Sequence, residues 1–256
     1  MSMEVVPASP AHRPSGIPGT LYFEVAAWLA GLEMAIRYHR IGLMIVGVLA
    51  LWLIGQSAWR WRRRSSTNVA SLATGLIVVT TIAVFSFVSG PWPQHTVALV
   101  SVGLLWLTGR QRQRPHDSRR GRTMALTTAV LIWFGWYSLL SASIYLNIQL
   151  TWLVMGAGAM TGAAALLVWL ESGLNLRPCR WGLLAMVWFG AELWLVTWWL
   201  PTSIIVGSVL AATVNALVIQ ASRHLWAGHW EAGRSRRYLL VGSVVILLTL
   251  ATARWI

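Results

Sequence analysis

Eight stretches of 17 to 21 mostly apolar residues recur along the chain, and every second connection between them is crowded with arginine. A helix crossing a hydrocarbon layer of about 30 Å needs roughly 20 such residues. The stretches are 41–59, 69–89, 93–109, 123–143, 150–170, 181–200, 202–222 and 238–256. The third is the shortest and begins at Pro93, a residue suited to the first turn of a helix because its missing N–H would have no partner there. The pattern predicts an all-α, polytopic integral membrane protein. Its transmembrane domain, 41–256, holds about eight helices in an antiparallel bundle. Composition agrees: 57% of residues are hydrophobic and 11% charged, with a mean hydropathy of +0.63. Soluble domains carry about 25% charged residues, so that class is excluded.

The charge is distributed as unevenly as the hydropathy. All 20 basic residues are arginine, against seven acids, for a net charge of +13. Arg60, Arg62, Arg63 and Arg64 follow the first stretch. Arg110, Arg112, Arg114, Arg119, Arg120 and Arg122 follow the third, Arg177 and Arg180 the fifth, and Arg223, Arg234, Arg236 and Arg237 the seventh. The intervening connections, near PWPQH, IYLNIQ and Pro201, hold none. Cytoplasmic loops of membrane proteins accumulate basic residues, so the arginine-bearing connections are expected in the cytoplasm. Residues 60–64 and 110–122 should contact anionic lipid headgroups, which attract basic side chains at about 1 kcal/mol each near the surface. The segment RQRQRPHDSRRGR (110–122) lacks the aromatic stacking groups of a nucleic-acid groove, and no nucleic-acid partner is expected. The implied location is a bacterial cytoplasmic membrane.

Ahead of the first stretch, residues 1–19 are rich in Pro, Ser and Gly and read as a disordered tail. Residues 20–40 read as an amphipathic helix lying in the membrane interface, with a ninth span as the alternative. Glu24 and Glu33 weigh against a span, since an acid within one costs a few kcal/mol. Glu33 and Arg37 stand i, i+4 for a modest ion pair.

Polar groups inside the spans are the candidates for function. Glu192 is the twelfth residue of 181–200, close to the bilayer midplane. It should face the bundle interior, where Asn215 of the next span is its expected partner. The tight connection at Pro201 makes the two spans antiparallel neighbours. At 1.5 Å per residue the two side chains lie roughly 2 Å and 4–5 Å to opposite sides of centre. Functionally, Glu192 reads as a proton-relay or substrate-binding carboxylate; structurally, it reads as a hydrogen-bonded packing group. Gly158 and Gly162 form a GxxxG pair that lets helices approach closely. Tyr137, Tyr145, Asn147, Gln149 and His95 gather at one level near the outer ends of their spans, where they either line a vestibule or belong to an aromatic and polar belt.

Catalytic signatures are missing from the sequence: there is no HExxH, GxSxG, CxxC or phosphate loop. Cys179 is the only cysteine, and His224, His229 and Glu231 match no standard zinc spacing. No catalytic residue, metal or cofactor is therefore expected. The leading expectation is a non-enzymatic, membrane-embedded subunit or scaffold with a membrane-protein partner. The alternative is a small-solute or lipid transporter or flippase using Glu192.

Overall fold

Backbone N–H and C=O groups in hydrocarbon must find partners within their own segment, and the helix provides them. The computed structural model describes residues 19–63, 68–111, 118–174, 176–226 and 232–253; within these, the side chains at 39–40, 60–61, 63, 68, 118–122, 176–178 and 232–239 are not described. Among the described residues the protein is all-helical: α1 (Gly19–Arg37), α2 (His39–Arg63), α3 (Asn68–Phe87), α4 (Pro91–Gln111), α5 (Ser118–Tyr145), α6 (Leu150–Glu171), α7 (Leu176–Trp199), α8 (Ile204–Trp226) and α9 (Ala232–Thr252).

Six of these helices (α2, α3, α5, α6, α7 and α8) are long and apolar enough to cross a membrane. The chain therefore has the make-up of a multi-pass membrane protein. Among the described residues the composition marks six helices rather than the expected eight: α4 carries Gln94, His95 and Arg110, and the described apolar stretch of α9 is Leu240–Thr252. Each of the eight expected stretches nevertheless has its helix. The tail expected over 1–19 lies outside the described residues except for Gly19, which begins α1.

The helices form two groups of four. In the first, α1 packs on α2, α2 on α3, α3 on α4, and α4 back on α1; in the second, α5 through α8 close the same circuit. The groups meet along α3 and α5, and α9 lies against α8. Trp28, Leu32, Ile77, Val78 and Leu104 are among the residues filling the first core. Trp136, Ala157, Ala165, Trp169 and Trp194 are among those filling the second.

Residues 20–40 enter the first group as α1 and the start of α2, and α1 runs along the length of α4. Leu21 meets Gly109 near the end of α4, Tyr22 packs on Trp106, the Trp28 indole N–H donates to Ser101 Oγ at 3.3 Å, and Glu33 meets His95 near the start of α4. Those contacts run in opposite order on the two helices, so α1 is antiparallel to α4 over its whole length. It turns into α2 at Tyr38, where the chain doubles back so tightly that a Cβ on Gly42 would strike the backbone of Ala35. The two acids do not prevent this packing. Glu24 is only 4% exposed, and Glu33 is bonded to His95 Nδ1 at 2.9 Å.

In the second group, α6 stops at Ser172. Gly173 takes φ +72°, and the amide of Leu174 returns to the carbonyl of Trp169 at 3.1 Å, a glycine-terminated helix end. The α6–α7 seam is the most extensive contact in the group. A Cβ on Gly158 would sit 2.8 Å from the carbonyl oxygen of Val187, and one on Gly162 would sit 2.6 Å from a Val187 methyl. From the other side, Gly190 of α7 receives Thr161 of α6.

Candidate functional site: a carboxylate on the outer face of α7

α7 is held by a narrow buried strip, Cys179, Gly182, Gly190, Trp194 and Thr197. Helical residues advance about 100° each, so a residue two places from both Gly190 and Trp194 points away from that strip. Glu192 is that residue, and it is exposed. Its neighbours on the same face are Trp181, Leu184, Trp188, Leu195 and Trp199, all exposed, with spacings of three and four residues. Trp188, 68% exposed, donates its indole N–H to Glu192 Oε1. The level is mid-bundle: Gly190, two residues before Glu192, abuts Thr161 near the centre of α6.

Two expectations are overturned here. Glu192 does not face the bundle interior, and it does not pair with Asn215. Asn215 is fully buried in α8 and donates its Nδ2 to Thr161 Oγ1 at 2.7 Å. The inward position facing α6 belongs to residues in register with Gly190 and Trp194, and Glu192 is out of that register by half a turn. The glycines at 182 and 190 were the signal in the sequence that marks the packed face of α7.

The remaining predicted residues are scattered. Arg62 and Arg110 are exposed. Arg64, Arg112 and Arg114 lie outside the described residues, as do the side chains of Arg60, Arg63, Arg119, Arg120 and Arg122. His95 is engaged with Glu33 of α1, while Tyr145 stacks on Phe87 of α3 with ring centroids 6.4 Å apart. The Glu33–His95 pair joins residues 62 apart in the chain, a pairing that no local spacing signals. Cys179 is buried and unpaired, and among the described residues no three His, Cys, Asp or Glu side chains are grouped to hold a metal.

The second core has an aromatic column. Trp136 of α5 stacks on Trp194 of α7 at 5.8 Å between centroids, and Trp194 on Trp198 at 6.3 Å. Trp169 of α6 donates its indole N–H to Ser222 Oγ of α8 at 3.2 Å. The Trp136–Trp194 stack, with Gly190 against Thr161, fixes the rotation of α7, which holds Glu192 outward. No protein-family model, curated protein or solved structure matches this chain.

Proposed function

We propose that this protein is a non-enzymatic subunit of a membrane assembly, docked to a membrane-protein partner through the outer face of α7. The observation that carries this reading is Glu192, an exposed carboxyl group at mid-height on a face otherwise built of Trp and Leu. Left against lipid, an ionised carboxylate near the bilayer centre costs about 2.5–3.5 kcal/mol on insertion scales. A partner helix bringing a hydrogen-bond donor to that level removes the cost. The flanking tryptophans supply large, rigid contact surfaces of the kind enriched at interface hot spots. The transporter or flippase reading would need a route along the outer face of α7, because Glu192 is exposed there.

The topology we propose places the arginine-rich ends of the helices in the cytoplasm of a bacterium, on the charge bias of the connections. It counts α1 as a ninth crossing, because α1 packs antiparallel along α4 from Gly109 to His95. The start of α1 then lies on the same side as Arg62 and Arg110. A reporter fused ahead of α1 is expected to score with one fused after Arg122, and opposite to one fused after Asn147.

The docking face is tested with a photo-crosslinking residue at Trp188 or Leu195 in the native membrane, followed by native mass spectrometry. The expected result is one discrete, stoichiometric protein adduct from each site and none from Leu247 on the exposed side of α9. Adducts to lipid alone from 188 and 195, with the chain recovered by itself, would sink the subunit reading.

A further inference from the structure

Three helices bring arginine to one end of the bundle. α5 begins with Arg119, Arg120 and Arg122, α9 begins with Arg234, Arg236 and Arg237, and the antiparallel α8 ends with Arg223. Running inward from that end, α5, α8 and α9 enclose an open-sided groove of about 500 Å³. Ala129 and Trp133 form one wall, Val241 and Gly242 the other, and α8 the floor. The floor extends from Gln220, less than one turn from Arg223, to Val209. The eleven residue steps between Gln220 and Val209 rise roughly 16 Å, about half of the ~30 Å hydrocarbon thickness.

Two polar side chains line the groove, and they differ in state. The Thr213 hydroxyl is committed to the carbonyl of Val209 at 2.7 Å. Gln220 has a buried side-chain amide oxygen without a hydrogen-bond partner. Amide oxygen and nitrogen exchange places by a half rotation, so this end of the side chain can present either an acceptor or an N–H donor. It stands at the boundary between the arginine-bearing end and the apolar groove.

We infer that the groove binds one acyl chain of an anionic glycerophospholipid from the leaflet on the arginine-rich side. The phosphate lies at the level of the arginines that open α5 and α9. The Gln220 amide meets an ester carbonyl about one turn deeper, and the chain runs along α8 past Ala216 toward Val209. The length of one leaflet fits the groove, the arginines select negative charge, and walls on both sides distinguish this position from a lipid resting on a convex helix face. The inference is independent of the α7 docking face, because no residue of α7 lines the groove.

The test is native mass spectrometry of the full chain from micelles doped with equal amounts of phosphatidylglycerol and phosphatidylcholine. One phosphatidylglycerol should be retained, at least tenfold over phosphatidylcholine. Ala216→Phe, which fills the floor of the groove, should reduce that retention about tenfold, while Val196→Phe on the exposed face of α7 should leave it unchanged. If Ala216→Phe fails to fold, the triple variant Arg119→Gln, Arg120→Gln, Arg122→Gln decides the matter, with the tenfold preference expected to fall to threefold or less. Equal retention of the two lipids by the wild type overturns the proposal. So does a folded Ala216→Phe protein that holds phosphatidylglycerol as the wild type does, or an unchanged preference in the triple variant.

Discussion

The two four-helix groups share a plan but are built of different material. Each closes its circuit of neighbours in the same order, and each is tied across by an indole-to-serine bond: Trp28 to Ser101 in the first, Trp169 to Ser222 in the second. The first group takes in two acids, with Glu24 buried among its helices and Glu33 bonded to His95. The second is packed with tryptophan, glycine and alanine; it buries Glu171 at the end of α6 but turns its mid-height acid, Glu192, outward. An acid inside a helix therefore has no fixed meaning. In α1 it belongs to a helix packed along its length against α4, and in α7 it stands on an exposed face. What separates the two cases is the rotation of each helix against its neighbours.

The sharpest way to break this comparison is at the glycines. Gly158→Val places its branched side chain against the backbone carbonyl of Val187, which cannot retreat without moving α7. A loss of about 3 kcal/mol is expected, at the upper end for overpacking. In the first group, a Cβ on Gly103 of α4 meets nothing within 4 Å, so Gly103→Ala should stay within about 0.5 kcal/mol of the wild type, as for an open site. Unfolding in mixed micelles measures both. Equal losses at the two sites would show that the α6–α7 seam is no tighter than the rest.

The buried hydrogen bonds come next. Asn215→Leu in the second group and Trp28→Phe in the first each delete one interhelical bond, and each is expected to cost about 1 kcal/mol, the scale measured for such bonds in bilayers. Coupling between Asn215→Leu and Thr161→Val in a double-mutant cycle checks the pairing. Strict additivity would mean that the two side chains do not interact.

The smallest effects concern Glu33 and Glu192. Glu33 and His95 are each partly exposed, so their coupling should be no more than about 0.5 kcal/mol, as for exposed ion pairs. Glu192→Leu should leave the isolated protein as stable as the wild type or slightly more so, because it removes a carboxyl group from an exposed face, while recovery of the proposed partner from native membrane should fall. A clear loss of stability in the isolated chain would instead give Glu192 a structural role within it.

Much of this architecture could be read before any coordinate. The apolar runs demanded helices because nothing else satisfies the backbone in hydrocarbon, and every expected run has its helix. Arginine gathers in alternate connections, and the antiparallel packing of neighbouring helices brings those connections to one end of the bundle. Gly158 and Gly162 announced a close helix contact, though only the fold names Val187 as its other side. Two matters were not legible. Hydropathy averages over a helix, so Glu24 and Glu33 counted against α1 although one is buried by neighbours and the other is bonded to a residue on α4. Depth along a helix also says nothing of direction around it. Glu192 and Asn215 were placed at compatible depths, but the side chain that turns toward Asn215 comes from α6, because the Gly190 and Trp194 face of α7 is the one that packs. Sequence determined what is one-dimensional here: helix type, approximate length, and which ends carry positive charge. Tertiary structure decided the rotations, since a shift of two residues turns a side chain by about 200°, and only close packing against neighbouring helices selects which side faces in.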